Sequence, residues 1–289
     1  MEATELLKRV RKIEIKTRGL SKHIFAGEYH SAFKGKGMAF SEVREYQYGD
    51  DIRNIDWNVT ARFNHPYVKI YEEERELTVM LIVDVSGSRE FGTQSLLKKN
   101  IITEISAVLS FSAIQNNDKV GVIMFSDRVE KFIPPKKGKQ HILRIIRELI
   151  NFEPENKGTA ITEALRFLTN AIKKRSTAFL ISDFLDENFE DALKIASKKH
   201  DIVGLKIYDL RDTELPSIGL IKMLDAESGK DIWVDTSSNY IRDLYRHSWR
   251  KHNEDLNDML SKLGVDYAQI STNEDYVKPL MNLFKRRAR

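Results

Sequence analysis

Three oxygen-bearing side chains, Asp84, Ser86 and Ser88, stand at alternate positions in the stretch LTVMLIVDVSGS. In an extended turn that spacing points all three to one side. Carboxylate and hydroxyl oxygens beyond the carboxyl end of a central strand can cradle a hard cation such as Mg²⁺. The same residues also suit plainer work, with Asp84 as a turn former and Ser86 or Ser88 as a helix cap. What precedes them is Leu77 to Val83, seven apolar or β-branched residues bounded by Glu76 and Asp84. A strand covered by helices on both faces reads this way.

The elements that must hold such a turn alternate along the chain. Leu97, Ile101, Ile105 and Val108 form a helical stripe after the first strand. Val120 to Phe125 is a second strand, with Val129 to Ile133 as a short partner that Pro134-Pro135 stops. Ile142, Ile145, Ile146 and Leu149 mark an amphipathic helix. A further helix opens at Gly158-Thr159, with Ala164, Leu165, Leu168 and Ile172 inward. Strands Ala178 to Ile181 and Ile202 to Tyr208 flank a helix through Phe189, Leu193 and Ala196. Leu220 to Leu224 and Ile232 to Val234 make a hairpin about the turn Glu227-Ser228-Gly229-Lys230. A long helix from about Ile241 to Leu263 stops at Gly264. The strand Val265 to Ile270 and a helix through Val277, Leu280 and Phe284 complete the chain. This alternation predicts an α/β fold with a doubly wound, mostly parallel sheet, over residues 76–289, with the hairpin inserted at about 218–236.

Residues 1–75 have a different texture. Leu6, Leu7, Val10 and Ile13 at helical spacing predict an amphipathic helix docking on the body. Short β-rich pieces follow at Tyr29 to Phe33, Phe40 to Tyr46, Ile55 to Ala61 and Tyr67 to Tyr71, separated by glycines and Asp50-Asp51. They predict a small, mostly β subdomain. Its charges, Arg44, Asp50, Asp51, Arg53, Asp56 and Arg62, stand beside Tyr46, Tyr48 and Trp57. An ion-paired scaffold with Trp57 filling the contact against the main sheet is one reading. A docking surface for a protein partner is the other, since Arg, Tyr and Trp often carry binding energy.

Forty-seven basic against 43 acidic residues give a net charge of +4, too mild a balance to predict nucleic-acid binding. With no cysteine in the sequence, disulfides, thiolate metal sites and cysteine nucleophiles are excluded. No run approaches the roughly 20 apolar residues of a membrane helix, and the N-terminal stretch has no signal-peptide core. The expected location is cytoplasmic, without membrane insertion. Gly35-Lys36-Gly37 and Gly138-Lys139 lack the spacing of nucleotide-binding loops.

The strand ending in DVSGS, the later GT and the strand ending in SD together resemble the von Willebrand factor A domain. That resemblance implies a metal-ion-dependent adhesion site, carried over by position to Asp84, Ser86, Ser88, Thr159 in NKGTAIT and Asp183 in LISDF. It also gives Asp118, in NNDKVGVIMF, a structural place. A narrower resemblance covers almost the whole chain. The segment GKGMAFSEVREYQYGDDIRNIDWNVTAR, with LPSIGLIKMLDAESGKDIWVDT and TNEDYVKPL, is similar to the domain of unknown function 58 family. That family implies a von Willebrand factor A-like domain and a MoxR-type AAA+ ATPase as partner, in bacteria or archaea.

Asp84 and Asp183 end two different strands, and Thr159 opens a helix between them. Where strands wind outward in both directions, a crevice forms at their carboxyl ends. Water-bridged carboxylates and direct hydroxyls there suit Mg²⁺, or another divalent cation such as Mn²⁺ or Ca²⁺. The resulting expectation is a protein-interaction module that grips an acidic side chain of a partner and works with the ATPase in complex assembly or maturation. The competing expectation is a metal-dependent hydrolase in which Asp84 and Asp183 position an activated water. No G-x-S-x-G elbow or H-E-x-x-H pair supplies it with further machinery.

Overall fold

The strand predicted to organise the chain lies at the middle of the main sheet. β3 (Thr78–Asp84) pairs in parallel with β4 (Lys119–Phe125) on one side and with β6 (Thr177–Ser182) on the other. From Val79 to Val83 its side chains are almost wholly buried, as an unbroken apolar run requires. β7 (Asp201–Tyr208) and β10 (Asp266–Ser271) extend the sheet beyond β6. β5 (Val129–Lys136) closes the other edge antiparallel to β4, giving the order β10-β7-β6-β3-β4-β5. The computed structural model describes residues 8, 10–14, 16–17, 38–73, 77–87, 97–156, 158–224 and 231–287.

The chain passes from β3 outward to β4 and β5, then returns across β3 to β6 and outward again to β7 and β10. The carboxyl ends of β3 and β6 therefore flank the point where the winding reverses. Met80 and Ile82 join a core with Ile161, Leu165 and Leu168 of one helix, Leu193 and Ala196 of a second, and Leu256 and Leu260 of a third. On burying each large aliphatic side chain the fold gains about 2 kcal/mol. The helix Lys98–Gln115, here α2, contacts β3, β4 and β7. Further helices are α3 (Lys139–Asn151), α4 (Ile161–Ala171), α5 (Glu190–Lys199), α6 (Leu210–Thr213), α7 (Asn239–Lys262) and α8 (Val277–Arg287). A separate hairpin pairs β8 (Leu220–Leu224) with β9 (Asp231–Asp235); its predicted turn, Glu227 to Lys230, lies outside the described residues.

One expectation about β5 is corrected. The strand runs through Pro134 and Pro135 to Lys136, where the sequence predicts a stop at Ile133. Two features permit this: β5 is an edge strand, which tolerates missing donors, and its pairing with β4 shifts register between Val120 and Val122. Gly121 lies at that shift. A Cβ there would come within 2.8 Å of Met80 Sδ and 2.9 Å of the Pro135 nitrogen. Only glycine leaves room for this approach.

Contacts divide the chain into two units, Lys34–Leu77 and the remainder, with residues 1–33 grouped with the main sheet. Within the N-terminal stretch, Val10 is buried, and Lys16 and Glu14 pair with Glu104 and Lys139; Leu6 and Leu7 lie outside the described residues. In the smaller unit β1 (Met38–Glu45) pairs antiparallel with β2 (Tyr67–Glu73). The predicted piece Tyr29 to Phe33 falls outside the described residues. Of the piece Ile55 to Ala61 only Ile55 is β, in a single antiparallel bridge to Val68, and the rest leads into helix α1 (Trp57–Phe63). Asp56 explains the difference: its carboxylate accepts from the amides of Asn58 and Val59, an N-cap that outweighs the β preference of Val59 and Thr60.

Candidate functional site

Asp84 is the last residue of β3, with only 3 % of its surface exposed. Its Oδ1 accepts from the Ser86 amide at 2.9 Å, closing the tight turn that the D-x-S spacing predicts. Its Oδ2 accepts from Ser182 Oγ at 2.6 Å, and Ser182 Oγ in turn accepts from the Phe184 amide at 3.0 Å. Ser182 ends β6, so one hydroxyl ties together the ends of the two central strands. Burial pushes the Asp84 carboxyl well above the usual carboxylate range, and the neighbouring charge of Asp183 pushes it further. The hydrogen bonds from Ser182 and Ser86 work against that rise.

Asp183 follows β6 directly and is also buried. Its Oδ1 accepts from the Leu185 amide at 3.4 Å, and its Oδ2 faces Lys98 Nζ at 3.4 Å. The next residue, Phe184, is fully buried with a φ of 57°. A bulky residue in the left-handed region costs on the order of 1–3 kcal/mol, and such strain gathers at sites where a turn is over-determined. Here Tyr267 meets the Phe184 ring edge-on, and His252 Nε2 donates to its carbonyl at 2.8 Å.

Thr159 is half-buried in the loop before α4. That loop is anchored on both sides of β3. The Ala160 amide donates to the carbonyl of Ser126, just past β4, and the Ile161 amide to Asp186, just past β6. Ser86 is buried beside Asp84. The structure thus brings Asp84, Ser86 and Asp183 to adjacent strand ends and sets Thr159 in a loop bound to the two flanking strands. Ser88 lies outside the described residues. Asp118 is buried, and its amide donates to the Ala113 carbonyl at the end of α2. Among the described residues no group of three or more His, Asp or Glu is placed to hold a metal, so any donor set here draws on hydroxyls.

Sequence reasoning missed a second layer behind Asp183. Lys98, the first residue of α2, is buried with its ammonium 2.8 Å from Asp212 Oδ2 and 3.4 Å from Asp183. Burial works to lower its pKa, yet Asp183 and Asp212 outweigh burial and the net shift is upward. Lys206, inside β7, is buried too, 3.3 Å from Asn253 Oδ1 and over the Trp249 ring. Burial pulls its pKa down to about 8. The visible signal was a lysine within the apolar run IVGLKIY.

The proposed docking residues belong to the smaller unit. Arg44 and Asp50 form a two-bonded pair, both bonds 2.8 Å, and Asp50 also accepts from the Gln47 amide. Asp51 caps the turn Ile52–Asn54 and pairs with Arg53; Asp56 caps α1 and lies 3.5 Å from Lys69. The Tyr46 amide donates to the Pro66 carbonyl, and Arg62 sits in the last turn of α1. Arg44 pairs with Asp50, Arg53 with Asp51 and Lys69 with Asp56, all within the smaller unit. Trp57 is 70 % exposed. Tyr48, Ile52 and Phe63 are exposed with it.

The main sheet is a doubly wound α/β arrangement, with Asp84 and Asp183 at neighbouring strand ends where the winding reverses. Residues 42–255 match the family described as Protein of unknown function DUF58, and the chain belongs to that family. An uncharacterized protein of Mycobacterium tuberculosis is 27% identical over 285 residues, covering 97% of this chain and 89% of its own. Among solved structures, the conserved hypothetical protein BatB from Bacteroides thetaiotaomicron aligns with TM-score 0.49 and 17% identity, over 73% of this chain and 98% of its own. The SpRpn10 VWA domain aligns with TM-score 0.38 and 11% identity, over 73% of this chain and 94% of its own. Among the described residues no helix is long and apolar enough to cross a membrane.

Proposed function

We propose that this protein is an interaction module that binds an acidic side chain of a partner protein through a divalent cation held by Asp84, Ser86, Ser88, Thr159 and Asp183. The observation that carries the reading is the pair of buried carboxylates, Asp84 and Asp183, at neighbouring strand ends. Two carboxylates desolvated side by side repel each other, and a divalent cation relieves that repulsion. The donor chemistry fits, because carboxylate and hydroxyl oxygens are what hard cations take. A bound Mg²⁺, Mn²⁺ or Ca²⁺ would supply a Lewis-acidic centre open to an aspartate or glutamate oxygen from outside. The chain's own residues do the rest. Ser182 and the Ser86 amide hold the Asp84 carboxylate in place, and the strained turn at Phe184 aims Asp183.

The family resemblance of the Gly35–Arg62 segment makes a MoxR-type AAA+ ATPase the partner to try first, with complex assembly or maturation as the shared task. The test is recovery of that ATPase on the immobilised protein, with Mg²⁺, with EDTA, and with Asp84→Ala. Recovery in Mg²⁺ alone is expected. Equal recovery in all three arms removes the ion from the mechanism.

A further inference from the structure

Lys98 stands where elementary electrostatics disfavours it twice. It is the first residue of the 18-residue helix α2, whose first turn carries no acidic residue. A cation there faces the positive end of the helix dipole. It is also 2 % exposed, and desolvating an ammonium is costly unless anions surround it. Among its partners are Asp212 Oδ2 at 2.8 Å and Asp183 Oδ2 at 3.4 Å. Asp212 is itself held in place, its Oδ2 accepting from the Asp209 amide in the capping box of α6.

We propose that Lys98 is a tethered counter-cation that competes with the divalent ion for Asp183 and so sets how tightly the site takes up that ion. The proposal rests on the reading of Asp84 and Asp183 as ion ligands. With no ion bound, the ammonium offsets the Asp183 charge. When an ion binds, like charges are brought close, and the ammonium withdraws toward Asp212, which it already approaches more nearly. Asp212 thus acts as the resting place that makes the exchange possible. Two substitutions then act in opposite directions. Lys98→Met keeps the length and removes the competitor. Asp212→Asn removes the resting place, so the ammonium stays on Asp183.

The experiment is calorimetric titration of the full chain and both variants with MgCl₂ and with MnCl₂, alongside melting curves with and without each salt. Lys98→Met is expected to bind at least tenfold more tightly than the unaltered chain and to gain more in melting temperature from the salt. Asp212→Asn is expected to bind several-fold more weakly. Ion binding of equal strength in all three proteins overturns the counter-cation and leaves the ion site standing. No ion uptake by any of them overturns both. Should Lys98→Met not fold, Asp212→Asn decides the matter, and an affinity equal to or above that of the unaltered chain overturns the proposal.

Discussion

Ser182 Oγ donates to Asp84 Oδ2 over 2.6 Å between residues 98 positions apart in sequence. The bond links the ends of β3 and β6, and the same oxygen accepts from the Phe184 amide. A buried carboxylate and a buried amide therefore depend on one hydroxyl. Ser182→Ala is expected to destabilise the protein by about 2–3 kcal/mol, because two buried groups lose a partner. Urea unfolding of the ion-free protein measures this, and a change below about 0.5 kcal/mol would mean both groups find replacement partners.

Gly121 provides a test of packing rather than polarity. The space its Cβ would occupy already holds Met80 Sδ and the Pro135 nitrogen. Sulfur can move, but the backbone of the edge strand resists. Gly121→Ala is expected to cost about 1–3 kcal/mol, read from the denaturation midpoint. Gly49, with nothing within 4 Å of its added Cβ, has no such clash, although its φ of 107° carries its own strain.

His200 gives the fold a pH dependence away from the site. The side chain is fully buried, with Ser176 Oγ 3.0 Å from Nδ1. Burial pulls its pKa down to about 4, and the charges of Lys199 and Arg175 pull the same way. The unfolded chain, with an ordinary histidine near 6.5, binds the proton first as pH falls. Stability is therefore complete above about pH 6.5 and declines between there and pH 4. From pH 7 to pH 5 the loss from this group is about 2 kcal/mol. Because the raised Asp84 carboxyl changes stability in the opposite direction over the same range, the test is the difference between the unaltered chain and His200→Gln in chemical unfolding at the two pH values, which should equal that amount.

Trp57 separates scaffold from surface in the smaller unit. At 70 % exposure it has little to lose on truncation. Trp57→Ala is expected to shift unfolding free energy by less than about 0.5 kcal/mol. If the exposed face with Tyr48, Ile52 and Phe63 binds a partner, the same change weakens that binding at least tenfold, as truncated aromatic anchors do. A large loss of stability with unchanged binding would return Trp57 to the scaffold.

The parts of the fold that local chemistry decides were legible in the sequence. The apolar run of β3 has one interpretation once its length and flanks are considered, and D-x-S after it marks a turn. Where two local signals compete, the stronger is not visible in advance. Val59 and Thr60 favour a strand, and the Asp56 cap wins only because both amides reach its carboxylate. Pro134-Pro135 reads as a stop unless the strand is known to lie at an edge. The Lys98–Asp212 pair was illegible for another reason. Its members come from different ends of the sheet's winding, 114 positions apart, and nothing near either names the other. Only Lys206 gave a trace, as a charge inside an apolar strand.

The prolines of β5 have a consequence for the protein in a crowded solution. Exposed strand edges recruit other chains by offering rows of free amides. Two adjacent residues of this outermost strand possess no amide hydrogen, and the register shift at Val120–Val122 bends the strand where they begin. Sheet growth by stacking of further molecules is thereby blocked on this side, and the protein can keep a long, deeply apolar sheet without seeding aggregation from that border.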